Sequence, residues 1–216
     1  MHTPFWKRRH FTAIALSVGL AGFCASTLAK PATVVLVVGD SLSAEYGLQR
    51  GQGWVSLLST QLEAQKTNAQ VINASLSGET TSGGRSRLPA LLSQHQPQVV
   101  ILELGGNDAL RGLALTQTQD NLLTMTQAAK AAGAKVLMLG MQMPPNYGAD
   151  YAAQFAAVYD KAARQGQAKL LPFFLQGIGD DPDPMKWFQA DRIHPNAAAQ
   201  PRLMKNVWPL LKPWLP

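Results

Sequence analysis

In "VVLVVGDSLSAEYGL", Val34 to Leu48, an apolar run meets Gly39, Asp40 and the hydroxyl of Ser41. Ligand crevices of open parallel α/β sheets lie outside the carboxyl ends of the strands, so a serine in the first turn after a strand faces such a crevice. Three roles are open to it: nucleophile, phosphate-loop residue, or cap of the following helix. A nucleophilic serine needs a base, and near neutral pH imidazole is the usual one. From Lys30 onward the chain has two histidines. His95, in "SQHQPQ", sits at an expected helix end before a strand and therefore at the opposite edge of the sheet. His194, in "ADRIHPN", follows Asp191 by three residues, a spacing that lets the carboxylate bind Nδ1 while Nε2 faces a serine. A tetrahedral oxyanion also needs preorganised donors. The backbone N–H groups of Ser41 and Gly78 and the side-chain amide of Asn107 are the candidates.

The elements that must position these groups alternate along the chain. Strands are expected at Thr33 to Val38, Gln70 to Ser75, Gln98 to Leu104, Ala134 to Met141 and Ala168 to Phe174. Between them the patterns "WVSLLSTQLEAQ", "SRLPALLSQH", Thr116 to Ala132 and "YAAQFAAVYDKAARQG" read as helices, and a proline-interrupted helix is expected from Asn196 to Leu215. Apolar strands separated by helices argue for a parallel sheet covered on both faces, hence one doubly wound three-layer domain. Ser41, Gly78 and Asn107 each follow the carboxyl end of a strand, so one crevice can gather them.

Taken in order, "GDSLS", Gly78 within "SLSGETTSGG", "GGNDALRG" and "DRIHPN" resemble the SGNH (GDSL-type) hydrolases, and most closely their exported thioesterase I / lysophospholipase L1 / arylesterase subgroup. The likeness runs from about Thr33 to the terminal helix. It implies a flavodoxin-like α/β/α sandwich on a five-stranded parallel sheet, no cofactor and no metal, and hydrolysis of carboxylic esters and thioesters through an acyl-enzyme. On that resemblance Ser41 is nucleophile and first oxyanion donor, Gly78 and Asn107 are the other donors, His194 is the base and Asp191 orients it. Glu45 stands where many members have a glycine, which leaves these assignments intact and bears on charge near the entrance.

Each residue also has a structural reading. Ser41 can cap a helix, Gly78, Gly105 and Gly106 can permit tight turns, Asn107 and Asp108 can form turns, and Asp191 and His194 can be loop residues. Asp40 reads as a structural hydrogen-bond acceptor. The enzymatic reading prevails because the set supplies nucleophile, base, orienter and oxyanion donors together. No G-x-S-x-G, G-x-x-x-x-G-K-[ST] or G-x-G-x-x-G occurs in the chain, which argues against an α/β-hydrolase or a nucleotide-binding protein. A carbohydrate O-deacetylase of the same fold and a non-catalytic exported binding protein are the alternatives. Leu110 and the segment "MQMPPNYGADY", with Pro145 and Tyr147, are candidates for an acyl-chain slot, and "GETTSGG" for a mobile lip.

The setting follows from the first 29 residues. Lys7, Arg8 and Arg9, an apolar run too short to span a membrane, and small residues at Thr27 and Ala29 have the order of a secretory signal peptide. Cleavage would leave a single domain, residues 30–216, beginning at Lys30. Cys24, the only cysteine, would leave with the signal, and Phe23 before it argues against a lipid anchor. The expected product is an exported, soluble, cysteine-free monomer, periplasmic or secreted. Half of the formal net charge of +6 leaves with Lys7, Arg8 and Arg9, and no basic run with interleaved aromatics supports nucleic-acid binding. The expected partner is a small acyl ester or thioester, with lysophospholipids among the candidates.

Overall fold

The computed structural model describes residues 1, 2 and 31–216, apart from the side chain of Pro145. The expected signal peptide, residues 1–29, lies outside the described residues except for its first two, as do Cys24 and Lys30. Pro31–Pro216 forms one compact unit.

Five strands, β1 (Thr33–Gly39), β2 (Ala69–Asn73), β3 (Val99–Glu103), β4 (Lys135–Leu139) and β5 (Lys169–Leu171), pair in parallel in the order β2-β1-β3-β4-β5. This is the flavodoxin-like order, in which the chain reverses its direction of winding between β1 and β3. Strand side chains alternate between the two faces. Leu36, Val38, Val100, Leu102, Val136 and Met138 pack on one side against α2 (Thr81–His95), α4 (Leu115–Ala131) and α5 (Ala149–Gly166). Val35, Val37, Val99, Ile101, Leu137 and Leu139 face α1 (Trp54–Ala64) and α6 (Gln200–Leu211). Both faces are buried, which is why these strands read as continuous apolar runs.

Departures from the sequence expectations lie at element ends, and each has a local cause. The fifth strand stops at Leu171 because Pro172 follows it and has no N–H to continue a ladder. Helix α2 begins at Thr81, not at Ser86. The Thr80 side chain accepts from the Gly83 N–H, while buried Thr81 gives its N–H, at 2.9 Å, and its hydroxyl to Asp108. The expected mobile lip is thus partly the anchored first turn of a helix. Its Gly84 lies so close to Leu104 that a β-carbon would come within 2.4 Å of that side chain. A short helix, α3 (Gly106–Leu110), occupies the segment in which Asn107 and Asp108 read as possible turn formers. The terminal helix is α6 with a 3-10 turn on each side, the first capped by Asn196 Oδ1, which accepts from Ala198 and Ala199.

Candidate active site

The winding reversal leaves a crevice beyond the carboxyl ends of β1 and β3, and the loops there carry Ser41 and Asn107. Ser41 sits two residues past β1 in a tight turn closed by Asp40 O, which accepts the N–H groups of Ser43 and Ala44 at 3.2 and 2.9 Å. Across the crevice, Ser41 Oγ and His194 Nε2 are 2.9 Å apart, although 153 residues separate them in the chain. His194 Nδ1 is 2.7 Å from Asp191 Oδ2. A tautomer with its hydrogen on Nδ1 satisfies both contacts: it donates to Asp191 and accepts from Ser41.

Asp191 is itself fixed by its own turn. Its Oδ1 accepts the backbone N–H groups of Ile193 and His194 at 2.9 and 3.0 Å. Desolvation by burial works against the charge, but these N–H groups and the imidazole prevail and hold the carboxyl down at about 2. The carboxylate therefore stays ionised beside the imidazole throughout the range in which imidazole can act as a base.

The Asn107 amide is held from two sides. Asn107 Nδ2 donates to Asp40 Oδ2 at 3.1 Å and to Glu79 O at 3.0 Å. Asp40 precedes Ser41 and Glu79 follows Gly78, so Asn107 ties the first, second and third strand-end loops together. The two acceptors also orient the amide, turning its NH2 group towards the serine loop. Gly78 has φ +78°, a left-handed conformation suited to glycine, and its carbonyl accepts from Arg111 at 2.9 Å.

Beneath the serine turn lies a polar layer that sequence reading missed. Glu103 ends β3 and is buried; its Oε2 accepts from Ser43 Oγ at 2.7 Å and from the Asp40 N–H at 3.3 Å. Trp54 Nε1 in turn donates to Ser43 Oγ at 3.2 Å. Gly39 makes room for this layer, since a β-carbon there would come within 2.8 Å of both Glu103 Oε2 and Ser43 Oγ. Burial pushes Asp40 up to about 6, opposed by the Leu42 N–H, His194, the Asn107 amide and Glu103. Burial and then the Asp40 charge push Glu103 well above the usual carboxylate range. The signal for Glu103 was a lone carboxylate inside the apolar run "VVILEL". Asp40 accepts hydrogen bonds as expected. Asp108 is no simple turn former: it is buried and anchors the start of α2.

A cavity of about 490 Å³ opens at the carboxyl edge of the sheet, lined by Leu110, Met143, Phe155, Phe173, Ile193 and eleven further residues; of these, Gly106 and Ile193 are chain neighbours of Asn107 and His194. Leu110 lines it. Tyr147 does not: it is 40% exposed and is not among the described residues lining the cavity, whose share of its segment comes from Met141 to Pro144. The side chain of Pro145 lies outside the described residues. His95 ends α2 at the amino edge of the sheet, remote from Ser41 by topology.

A serine hydroxyl on an imidazole backed by a carboxylate, at the switch point of a parallel α/β sheet, is an arrangement in which the hydroxyl can act as nucleophile and the imidazole as its base. The chain belongs to the GDSL-like Lipase/Acylhydrolase family, whose pattern matches residues 37–201. It is 54% identical over 184 residues to the esterase TesA of Pseudomonas aeruginosa, spanning 85% of this chain and 90% of that protein. It is 44% identical over 173 residues to the thioesterase 1/protease 1/lysophospholipase L1 of Escherichia coli, spanning 80% of each chain. The crystal structure of TesA superposes with a TM-score of 0.81, covering 85% of this chain and all of the other. That of the psychrotrophic esterase EstA from Pseudoalteromonas superposes at 0.79 with 38% identity, covering 84% and 98%. The protein is accordingly a hydrolase with the α/β fold of that family.

Proposed function

We propose that Ser41, His194 and Asp191 form a catalytic triad that cleaves carboxylic esters and thioesters through an acyl-enzyme. The single observation that carries this reading is the continuous chain Ser41 Oγ to His194 Nε2 at 2.9 Å and His194 Nδ1 to Asp191 Oδ2 at 2.7 Å. His194 takes the Ser41 proton as Oγ attacks the acyl carbonyl. The resulting oxyanion is met by the N–H groups of Ser41 and Gly78 and by the Asn107 amide, which gives up one of its two resting hydrogen bonds, to Asp40 or to Glu79 O, to donate there; such donors count for more in the transition state than in the ground state. Collapse of the adduct releases the alcohol or thiol, which takes its proton from His194. Water, activated by the same imidazole, then attacks the acyl-serine, and a second collapse frees the acid and restores Ser41.

The cavity favours an acyl chain as the group beside the carbonyl, because its walls include Met141, Met143, Phe155, Phe173 and Ile193. A single-chain amphiphile such as a lysophospholipid and a long-chain acyl thioester both fit that description. The name of the Escherichia coli relative, thioesterase 1/protease 1/lysophospholipase L1, points the same way. We further read residues 1–29 as a signal peptide and the enzyme as exported, acting as a monomer without cofactor in the periplasm or outside the cell. Among the described residues no helix is long and apolar enough to cross a membrane.

The test is purified Ser41→Ala, assayed with a short aryl ester, a lysophospholipid and an acyl-CoA. The variant should fold with native circular dichroism and lose turnover by about 10⁴- to 10⁶-fold on all three. Wild-type turnover in a folded Ser41→Ala protein would reduce Ser41 to a turn residue.

A further inference from the structure

Ser41 and His194 lie on loops that enter from opposite ends of the chain, so something must hold the histidine loop at hydrogen-bonding distance. Gln189 joins the two. Its Nε2 donates to Tyr46 O, on the serine loop, at 2.8 Å and to Pro195 O, beside the histidine, at 3.2 Å. Its backbone N–H donates to His194 O at 2.8 Å, and its own carbonyl accepts the Arg192 N–H at 2.9 Å. One residue thereby ties down both sides of His194 and reaches across to the nucleophile's loop.

The serine loop is shaped to receive it. Gly47 has φ +68°, and a β-carbon there would fall 2.0 Å from Gln189 Oε1, so the amide occupies space that only a glycine leaves free. The Tyr46 ring lies against the imidazole of His194, with centroids 4.3 Å apart and planes tilted by 38°. Tyr46 is in turn steadied from its own side. Glu45, at φ +59°, accepts from the N–H groups of Gly51 and Gly53, at 3.1 and 2.8 Å, and from Ser56 Oγ at 2.7 Å.

We propose that Gln189 and Tyr46 form a clasp that sets the Ser41–His194 distance, which makes Gln189 a positioning residue for the general base. Neither side chain exchanges atoms with substrate. Gln189 acts through two carbonyls and Tyr46 through its carbonyl and ring face, leaving the tyrosine hydroxyl without a part in the clasp. The inference rests on the triad reading above. Without the clasp the histidine loop is still tied to its own turn by Asp191, so the fold survives while the pair loses its fixed separation. Displacements of about 1 Å in such a pair cost on the order of 10²-fold in rate.

The experiment compares Gln189→Ala, Tyr46→Ala and Tyr46→Phe in the full-length protein with a short aryl ester. It also follows the rate at which an alkylphosphonate fluoride labels the serine. Gln189→Ala should lose about 10- to 100-fold in kcat, with KM within about twofold and labelling slowed in parallel. Tyr46→Ala should fall in the same manner, and Tyr46→Phe should recover most of that loss. Should Gln189→Ala fail to fold, the Tyr46 pair carries the test alone, since its side chain is half exposed. If Ser41→Ala is inactive while Gln189→Ala labels and turns over within twofold of wild type, the clasp is wrong and the triad stands. If Tyr46→Phe loses as much as Tyr46→Ala, the hydroxyl acts directly and the clasp is equally overturned. Activity retained in Ser41→Ala removes the triad itself.

Discussion

At the amino edge of the sheet, helices hand over to strands within a few residues: α1 ends at Ala64 and β2 begins at Ala69, α2 ends at His95 and β3 begins at Val99. At the carboxyl edge, 14 residues lie between Gly39 and Trp54, and Leu171 is followed by a long excursion before Gln200. Each edge has a hollow of similar size, about 440 Å³ at the amino edge and about 490 Å³ at the carboxyl edge. Volume therefore does not separate them, and chemistry does. Leu92, Ser93, Gln96, Pro97, Gln98, Ala132 and Gly133 line the amino-edge hollow without one titratable side chain, whereas Asn107 and His194 have chain neighbours in the wall of the other. The large exposed apolar residues described after Pro31, namely Tyr46, Leu76, Leu110, Leu113, Tyr147, Met185 and Ile193, all stand on carboxyl-edge loops. Short connections suffice to reverse the chain; long ones carry side chains to a common point.

The two histidines test this contrast most severely, because the same side chain occurs once at each edge. His194→Ala should lower kcat by several orders of magnitude, and His95→Ala should leave it unchanged, with esterase kinetics on both purified proteins as the measurement. Comparable losses in two folded variants would dissolve the functional distinction between the edges. Asn107→Ala should come next, with kcat down about 10²- to 10³-fold, or roughly 3 to 4 kcal/mol, and KM little changed. Asn107→Asp should be at least as damaging, since it removes the donor and sets a carboxylate against Asp40 at a contact now 3.1 Å long. If both variants fold and turn over normally, Asn107 only ties loops together.

Much of this was legible in the sequence for a physical reason. The strands are buried on both faces, so their apolar runs stand out, and Ser41, Asn107 and His194 lie in short polar segments with a distinctive order. What was not legible depends on residues distant in the chain. Glu103 looks like an interruption of an apolar strand until β1 brings Asp40 and Ser43 beside it. Gln189 has no local signal at all, because its partner Tyr46 lies 143 residues away. The cavity wall was not legible from one loop, because Phe155, Phe173 and Ile193 reach it from three separate segments. The start of α2 was hidden by Gly83 and Gly84, poor helix formers that the Thr80 cap and the Asp108 anchor override.

The buried carboxyl pair gives the carboxyl edge a pH dependence of its own. The unfolded chain releases these protons near the ordinary carboxylate pKa, about 4. The fold retains that of Asp40 up to about 6, and that of Glu103 well above its ordinary range. Over that range the native state binds more protons than the unfolded state, so the pair's contribution to stability is full below about pH 4 and declines as pH rises. Asp191, held at about 2, has the opposite sign, and its contribution is lost only as pH falls from about 4 towards 2. Glu103→Gln keeps the shape and removes one titration. Its melting temperature relative to wild type should therefore climb as pH rises above about 4 in calorimetric scans. A difference that stays constant with pH would mean that Glu103 ionises in the fold as it does in solution.

The smallest expected effect comes from making one substitution at both edges. Gln96 and Glu45 each hold a left-handed backbone, with φ of 44° and 59°, a conformation that costs a non-glycine residue about 1–2 kcal/mol. Gln96 follows α2, and its exposed side chain borders only the amino-edge hollow. Glycine there relieves the strain, offset in part by the extra freedom of the unfolded chain, for a net gain of up to about 1 kcal/mol. Glu45 relieves the same strain when replaced, but its carboxylate is the acceptor for Gly51, Gly53 and Ser56 and closes the loop that leads into α1. Losing hydrogen bonds to a charged acceptor costs about 1.5–3 kcal/mol apiece in partly buried settings and less where water can replace it, so the balance at this partly buried site turns modestly negative. Gln96→Gly should thus raise the melting temperature slightly with unchanged kinetics, and Glu45→Gly should lower it and reduce kcat a few-fold through the loosened Tyr46 loop. A gain in stability at both positions would mean that the Glu45 hydrogen bonds contribute less than the strain they accompany, and that the carboxyl-edge loop needs no anchor beyond its backbone.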